Sequence, residues 1–416
     1  MRRFFVFILL VTGFCSLATA SEETAKMAED VNSLWAAVWS YDVPGERQYY
    51  DKLCAEFAEA TGEKPPRIEL GKWDYAHEQI QGWIKDSNGP DIVVLPEEWL
   101  AEFSGGVEDF DKYLDPKLRE EFYSVMFNKG IYKGKLLGMV WAGTTKALFY
   151  RKDLFEKAGL SAPKTWQEQL EAAIKLNNPP EIYGIGLPGA PVYETDDNLF
   201  LYLWSAGGDF FDENGKCIIN NAAGVKALQF YVDLVNKYHV TQPEVTSWSR
   251  KQTRRLFEAG KLAMFATGPW GIESLRKNAP DIEFGVAPLP VDKRPATQLV
   301  TDHIAIFSYS PRKSLAGRFL NFAYQDKYRF EFAKLGLLPE KKSVGTNDYF
   351  QKDPYWKVFV DVIPYGKSIP LMDWADIGAA IRQAMYDSLT GRKSPKEALD
   401  DEAAAIDKIV EKRRSP

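Results

Sequence analysis

The chain has 416 residues, with 52 Lys or Arg side chains against 58 Asp or Glu side chains, so its formal net charge is −6 at pH 7. An acidic surface repels nucleic acid and anionic lipid, and neither is therefore an expected partner. No apolar stretch approaches the roughly 18 residues that a transmembrane helix needs, so the sequence predicts no membrane span.

The first twenty residues have the pattern of a secretory signal. Arg2 and Arg3 form a short basic region, an apolar run follows at 4–10, and small residues at 18–20 frame a cleavage site. Cleavage there leaves 396 residues with 50 basic and 58 acidic side chains, a net charge of −8. That length is enough for two domains with full cores. We expect the mature protein in the periplasm, or at the extracellular face where the organism has no outer membrane.

The cysteines predict neither an anchor nor a cross-link. Phe14 occupies the position where a lipoprotein signal needs a small residue before Cys15. The mature chain keeps Cys54, in a predicted helix, and Cys217, in a predicted turn and strand. An exported protein could oxidise this pair, but we expect no disulfide.

The first part of the mature chain alternates between strand and helix patterns. Apolar runs predict strands, and apolar residues at helical spacing predict helices that stop at glycine. This succession implies a parallel sheet with right-handed crossovers. The predicted elements are strand 33–39, helix 47–62, strand 67–70, helix 74–89 and strand 90–96.

A second α/β unit begins near residue 146. Its helices carry start signals: Thr165 with Glu168 reads as a capping box, and Ser394, Pro395 and Glu397 open the long C-terminal helix. A hairpin turn is predicted at 212–215 and an amphipathic helix at 221–238. The sequence shows no repeat and no disordered linker, which favours interleaved lobes over two tethered domains.

The sequence lacks the usual patterns of catalytic and metal-binding residues. The three histidines, His77, His239 and His303, have no metal-ligand spacing, and Gln81 stands where a zinc protease would have its second histidine. The chain has neither a nucleophile elbow nor a P-loop. We therefore expect no catalytic residue, metal or cofactor, and no enzymatic activity.

One glycine pattern imitates a dinucleotide-binding loop. Residues 184–189 match GxGxxG, and Asp209 lies about twenty residues beyond the last glycine. A dinucleotide site needs a helix to begin at the last glycine, and Pro188 with Pro191 prevents one there. We interpret 182–188 as a strand rich in small residues.

Aromatic side chains follow the predicted strands, most notably Trp270 after the Gly268-Pro269 turn. In open α/β sheets, ligands bind at the carboxyl ends of the strands. Sugars stack their apolar C–H faces on indole rings, and their hydroxyls form strong hydrogen bonds with carboxylates. The candidates at these ends are Trp39, Tyr41, Asp42, Trp73, Glu97, Trp99 and Trp270. The alternatives stay open: strand core for Trp39, helix packing for Trp73, a surface helix for Glu97 and Trp99, and a plain turn for Tyr41 and Asp42.

These features together resemble the bacterial extracellular solute-binding proteins of sugar transporters, the relatives of maltose-binding protein. The resemblance covers nearly the whole mature chain, and the order of its segments is more specific than any one of them. They are PDIVVL, LFYRKDLFEKAGL, APKTWQE, WSAGGDFFDENGK, NAAGVKALQF, FEAGKLAMFATGPW, FGVAPLP, LAGRFLNFAYQ, GLLP and SPKEAL. Arg151 stands where the family often has asparagine, and 301–303 replaces a glycine-rich strand; these departures bear on the ligand and not on the fold.

The resemblance implies the two-lobed periplasmic binding protein type II fold, in which each lobe is a mainly parallel sheet flanked by helices. The N-terminal lobe would comprise 21–145 and 300–345, and the C-terminal lobe 146–299 and 346–416. Crossing segments near 142–147, 298–303 and 340–350 would join the lobes around a ligand cleft.

The resemblance also implies site residues and a function. Trp270 matches the aromatic residue that stacks on sugar in the family, Trp374 falls where relatives carry another cleft aromatic, and Lys146 matches a position that often reaches the ligand. Asp376 lies near Trp374, and Asp302 lies on the second crossing segment; both are further candidates. The protein would be the monomeric substrate-binding component of an ABC importer, which captures a carbohydrate and delivers it to permease subunits.

Two alternatives remain from the sequence alone. The same fold could bind a polyol, a polyamine or another small polar solute. An exported glycoside hydrolase needs two carboxylates about 5–10 Å apart, and Glu97, Glu98, Asp196 and Asp197 could supply them.

Overall fold

A computed structural model describes residues 33–41, 43–192, 195–370 and 374–414. The predicted signal peptide and the candidate Asp42 lie outside the described residues. None of the helices in these ranges has the length and apolar character to cross a membrane.

The strands of the described ranges are β1 Trp35–Trp39, β2 Arg67–Gly71, β3 Ile92–Pro96, β4 Ile131–Tyr132, β5 Lys135–Leu136, β6 Met139–Thr145, β7 Ala147–Arg151, β8 Met264–Thr267, β9 Phe284–Ala287, β10 Thr297–Ile306 and β11 Gly366–Lys367. The α-helices are α1 Glu46–Thr61, α2 Ala76–Asp86, α3 Leu118–Glu121, α4 Ser124–Phe127, α5 Lys152–Lys157, α6 Trp166–Leu176, α7 Asp197–Ser205, α8 Ala222–Val232, α9 Arg250–Glu258, α10 Trp270–Asn278, α11 Lys313–Ala323, α12 Asp326–Ala333, α13 Lys342–Gly345, α14 Asp348–Lys352, α15 Pro354–Asp361, α16 Ala375–Leu389 and α17 Pro395–Arg414. Short 3₁₀ turns include Trp73–Tyr75 and Glu97–Trp99, and a π-helical turn at Asp233–Lys237 extends α8.

The largest sheet has six strands and confirms the predicted β-α-β-α-β start of the chain. Its order is β11-β10-β3-β1-β2, with β6 also paired to β10. β1 runs parallel to β2 and β3, whereas β10 runs antiparallel to both β3 and β6. All five residues of β3 are buried, as its continuous apolar run predicts. The carboxyl ends of β1, β2 and β3 therefore share one edge of the sheet.

The second main sheet differs from the expectation of mainly parallel strands. It has the order β8-β7-β9, and β7 pairs antiparallel with both neighbours. The reason is that β7 follows β6 after the single residue Lys146 and enters this sheet directly from the first one. The carboxyl ends of β8 and β9 consequently lie beside the start of β7.

The predicted helix caps are present, with one difference of detail. The hydroxyl of Thr165 accepts a hydrogen bond from the Glu168 amide at 3.1 Å, while the Glu168 carboxylate accepts from the amide of Lys164 at 2.6 Å and not from that of Thr165. Ser394 and Glu397 form the reciprocal pair that a capping box requires. The GxGxxG segment continues as extended chain beside β8, where Gly186 N–H donates to the Met264 carbonyl at 2.8 Å, and no helix follows it directly.

Buried apolar side chains form two clusters. The larger one fills the six-stranded sheet and extends to aromatic residues of the second sheet through Phe149 and Phe284. The other lies among α6, α7, α8, α16 and α17 and includes Trp204 and Trp374. Cys54 and Cys217 belong to different clusters and are both free thiols, as expected. The lobe boundaries given above remain a prediction.

Candidate functional site

Three predicted side chains meet at the carboxyl edge of the first sheet. Tyr41 follows β1, Trp73 follows β2, and Asp302 on β10 lies opposite Pro96, the last residue of β3. The Tyr41 hydroxyl donates to Asp302 Oδ2 at 2.9 Å, and the Tyr41 and Trp73 ring centroids are 6.0 Å apart. All three side chains are half-buried, so each keeps a surface that a ligand can contact.

Trp39 has no such surface. Only 1% of it is exposed, and its indole N–H donates to the Val94 carbonyl at 2.7 Å. Its ring packs against those of Trp73 and Trp83, with centroids 6.3 and 6.2 Å away. The structure thus favours the strand-core alternative for Trp39, and we leave this residue out of the proposed site.

Glu97 and Trp99 lie in the 3₁₀ turn that follows β3. Glu97 is 2% exposed and accepts a hydrogen bond from the Thr301 hydroxyl. The Trp99 ring packs edge-on against His77 of α2, with the centroids 5.0 Å apart. Trp99 therefore supports the packing of the first lobe, whereas Glu97 adds a buried carboxyl beneath the edge of the sheet.

Lys146 occupies the junction between the two main sheets. Its backbone N–H and carbonyl are both hydrogen-bonded to the Thr297 hydroxyl, at 2.9 and 2.7 Å. Its ammonium group lies 4.7 Å from the ring centroid of Trp270 and 4.0 Å from Asp197 Oδ2. The guanidinium of Arg250 lies 5.1 Å from the same Trp270 centroid. The half-buried Trp270 ring is therefore held by cations, an interaction that favours indole over other rings.

The residue type at 268 explains how Trp270 is positioned. A Cβ atom on Gly268 would lie 2.3 Å from Trp270 Cζ3, so the six-membered ring occupies the space that any other side chain would need. The Gly268-Pro269 turn thus starts α10 and lets the indole fold back over the end of β8.

Gly268→Ala is expected to displace the Trp270 ring and weaken ligand binding, because the clash involves a side chain that can move only by leaving its cations. The expected loss is about tenfold, the equivalent of 1.4 kcal/mol. Calorimetric titration of a ligand measures it, with Gly105→Ala as the control because a Cβ atom there meets nothing within 4 Å. Unchanged affinity for Gly268→Ala would contradict this role.

Trp374 and Asp376 lie at the start of α16. Trp374 is 7% exposed and packs against Phe200 and Phe210, with ring centroids 6.1 and 4.8 Å away. The helix-packing alternative therefore accounts for most of the Trp374 surface. Asp376 is exposed in the first turn of the helix, where a carboxylate favours the helix dipole.

Several charged or polar residues near Lys146 and Trp374 were not among the predicted ligand contacts. Gln298 Nε2 donates to Asp197 Oδ1 at 2.7 Å, and Arg382 pairs with Asp196 at 3.2 Å. The acidic pair opens α7, a helix whose next eight residues are all buried. Two adjacent carboxylates at the start of a largely apolar helix are the one signal in the sequence that could have indicated an internal site.

Burial and mutual repulsion disfavour charge on the carboxyls of the cleft. Burial, together with the charges of Glu97, Asp302 and Asp197, raises the pKa of Glu98 to about 8. Burial also raises the pKa of Asp302 to about 7, against the hydrogen bond from Tyr41. Asp196 has its pKa raised to about 7 by burial and by the charge of its neighbour, although Arg382 opposes the shift. The charge of Asp197 therefore disfavours ionisation of Glu98, although the two residues belong to distant segments of the chain.

Glu98→Gln is expected to stabilise the unliganded protein at alkaline pH. Between pH 4.5 and about 8 the folded state binds a proton at Glu98 that the unfolded state has released, so this group makes stability fall as pH rises through that window. Glu98→Gln removes this loss of folding stability. We place the loss at about 1–2 kcal/mol, because solvent still reaches the side chain and screens its charge. Thermal unfolding should show a rise in Tm of a few degrees at pH 8.5 that fades toward pH 4.5; a lower Tm at pH 8.5 would contradict it.

Comparison with known proteins identifies the family of the chain. A family model described as bacterial extracellular solute-binding protein matches residues 43–329. A protein of Brucella abortus, whose name states a binding role and no ligand, is 28% identical over 372 residues, covering 88% of this chain and 90% of the relative. The arabinooligosaccharide-binding protein of Bacillus subtilis is 24% identical over 97% of this chain and 98% of its own length.

A solved structure extends the likeness to the whole fold. Maltose-bound MalE3 of T. maritima is 26% identical, covers 91% of this chain and all of its own, and superimposes with a TM-score of 0.77. Superposition over that range includes both main sheets and confirms the two-lobed α/β fold that the sequence resemblance implied. The family match spans well over half of the chain, and the protein therefore belongs to the bacterial extracellular solute-binding protein family.

Proposed function

We propose that the protein captures a mono- or oligosaccharide in the cleft between its lobes and delivers it to the permease of an ABC importer. The observation that carries this proposal is the set of aromatic and charged groups at the carboxyl edge of the first sheet and at the junction with the second. Tyr41, Trp73 and Asp302 lie on that edge, and Trp270 with Lys146 lies at the junction.

These groups suit a sugar because each supplies a different kind of contact. Indole and phenol rings offer apolar faces to C–H groups, and the carboxyl groups and Lys146 offer hydrogen bonds to ring hydroxyls. The relatives named above bind maltose and arabinooligosaccharides, which supports a carbohydrate for this chain.

The connection between the sheets suits hinge closure. β6 and β10 run side by side, and Leu299 lies opposite Thr145 just before Lys146 leads into the second sheet. A rotation about so few crossing residues would move one edge toward the other. A ligand that contacts both edges binds the closed arrangement better and shifts the population toward it.

A thermal-shift screen of residues 21–416 against mono-, di- and oligosaccharides and polyols tests the binding proposal. A ligand present at a thousand times its Kd adds about 4 kcal/mol to stability, which for lobes of this size raises Tm on the order of 10 °C. A rise with one class of saccharide is the expected result. No shift with any saccharide or polyol would overturn the proposal.

A second experiment, on the ligands that this screen finds, separates binding from hydrolysis. A glycosidase would need two carboxyls about 5–10 Å apart, for which the sequence offers Glu97, Glu98, Asp196 and Asp197. We expect an oligosaccharide that shifts Tm to be recovered intact by mass spectrometry after prolonged incubation. Shortened products would contradict a purely binding role.

A further inference from the structure

Glu46 is a buried carboxylate beside the candidate site, and the contacts described above do not use it. It is the first residue of α1, and 4% of it is exposed. A buried carboxylate is costly unless hydrogen bonds replace those it made with water. The partners that provide these hydrogen bonds therefore indicate what Glu46 does.

The partners of Glu46 lie at the end of β1. The Ser40 hydroxyl donates to Glu46 Oε2 at 2.7 Å, and the backbone N–H of Tyr41 donates to both carboxylate oxygens at 3.2 Å. The positive end of the α1 dipole stabilises the negative charge at the same place. Hydrogen bonds to a charged acceptor are stronger than those between neutral groups, so the carboxylate fixes the backbone where β1 ends.

The turn between β1 and α1 brings the carboxylate back to this point. Gly45 has a φ of 88°, in the left-handed region that favours glycine, and the Glu46 N–H donates to the Val43 carbonyl at 3.3 Å. The chain therefore reverses direction before the helix begins, and the Glu46 side chain faces Ser40 and Tyr41 instead of solvent.

Tyr41 is held at both of its ends as a result. Glu46 fixes its backbone, and its hydroxyl donates to Asp302 Oδ2 at 2.9 Å. Between these points the ring packs against those of Trp73 and Phe332, with centroids 6.0 and 6.3 Å away. A ring that is already oriented in the free protein loses little conformational freedom on binding, and this preorganisation increases affinity.

We propose that Glu46 is a positioning residue of the solute site. It holds the Tyr41 backbone so that the phenol ring meets Trp73 and Asp302 in the arrangement that binds the solute. Glu46 acts through Tyr41, since its own oxygens accept hydrogen bonds from protein groups and only 4% of the residue is exposed. This role rests on the proposed function for the solute, whereas the position of the ring can be measured in the free protein.

Fluorine NMR of protein labelled with 3-fluorotyrosine measures the surroundings of the Tyr41 ring without a solute. The chain has 20 tyrosines, and the Tyr41 resonance is the one absent from Tyr41→Phe. Glu46→Gln keeps the shape of the side chain, but its NH₂ group cannot accept a hydrogen bond from Ser40 or Tyr41. We expect this variant to shift or broaden the Tyr41 resonance.

Glu397→Gln is the matched control, because Glu397 makes the same kind of contact at another helix start. Its carboxylate accepts hydrogen bonds from the Ser394 hydroxyl at 2.8 Å and the Ser394 N–H at 3.0 Å, at the start of α17. This variant should leave the Tyr41 resonance unchanged. Ser40→Ala removes one donor to Glu46 and no charge, so it should shift the same resonance less and replaces Glu46→Gln if that variant does not fold.

Calorimetric titration measures the effect on binding. Maltose, arabinotriose and glucose are the titrants, and the one that binds the wild type most tightly is used for the variants. Glu46→Gln should weaken its binding about tenfold, through the loss of charge-assisted hydrogen bonds that orient a contact residue. In a Tyr41→Ala background the same change should weaken binding by less than about twofold, because the ring that Glu46 positions is gone. Glu397→Gln should bind as the wild type does.

The outcomes separate this role from the proposed function. An unshifted Tyr41 resonance, or wild-type affinity in a folded Glu46→Gln protein, would overturn the positioning role and leave the proposed function standing. Equal weakening with and without the Tyr41 side chain would also overturn it, because Glu46 would then act by another route. A shifted resonance in a protein that binds none of the saccharides or polyols of the thermal-shift screen would support the positioning of the ring and refute the proposed function.

Discussion

Trp270→Ala is expected to weaken saccharide binding about 30-fold or more. Truncation of a central aromatic contact costs about 2 kcal/mol or more, and each 1.4 kcal/mol is a factor of ten in Kd. The loss has two sources here, since the ring supplies the apolar face and also lies over Lys146 and Arg250. Without it, both cations lose the surface that positions them at the cleft.

Two further variants make the Trp270 result interpretable. Trp270→Phe keeps a smaller ring and should retain part of the affinity, and Tyr349→Ala removes an aromatic side chain that is 42% exposed and outside the proposed site. Calorimetric titration compares the three with the wild type. Wild-type affinity in a folded Trp270→Ala protein would remove Trp270 from the site.

Glu340→Gln is expected to destabilise the protein by about 3–5 kcal/mol, the cost of leaving a buried charge unpaired. Glu340 and Arg329 are both fully buried, and their side chains form hydrogen bonds of 2.6 and 3.1 Å. The Arg329 guanidinium also lies over the rings of Trp141 and Phe332, with centroids 4.5 and 4.7 Å away. The charge has no route to solvent, so it cannot recover its hydration when its partner is neutralised.

An exposed ion pair provides the matched control. Asp348 and Lys352 are also 2.6 Å apart, but their side chains are 75% and 77% exposed. Asp348→Asn should therefore cost less than about 1 kcal/mol. Thermal unfolding should place Glu340→Gln roughly 10 °C below wild type, at about 2–4 °C per kcal/mol, with Asp348→Asn close to wild type. Similar Tm values for the two variants would contradict the assigned importance of the buried pair.

The sequence predicts the local elements of the first lobe well because their signals are local. Helix α1 ends at Gly62, whose φ of 74° suits glycine, and β3 is buried throughout as its apolar run indicates. Cap residues form hydrogen bonds over three or four positions, so a short stretch of sequence is enough to predict where α6 and α17 begin.

The site was harder to predict because its contacts join distant segments. The pairs Tyr41–Asp302 and Asp197–Gln298 are separated by 261 and 101 residues, and no spacing in the chain indicates either. Trp39 shows the opposite problem. Its position at a strand end suggests a cleft residue, yet its indole N–H finds a carbonyl on the neighbouring strand and the ring turns inward. The position of a residue along a strand predicts that it lies near the edge of the sheet. Whether its side chain faces the cleft or the core depends on the packing of neighbouring elements.

The most direct test of ligand capture between the lobes is small-angle X-ray scattering with and without the solute that gives the largest thermal shift. Hinge closure predicts that the radius of gyration of the wild-type protein decreases at saturation, and that Trp270→Ala shows the same decrease only at the higher solute concentration its weaker binding requires. Tight binding of the solute with an unchanged radius of gyration would contradict closure of the two lobes around the ligand.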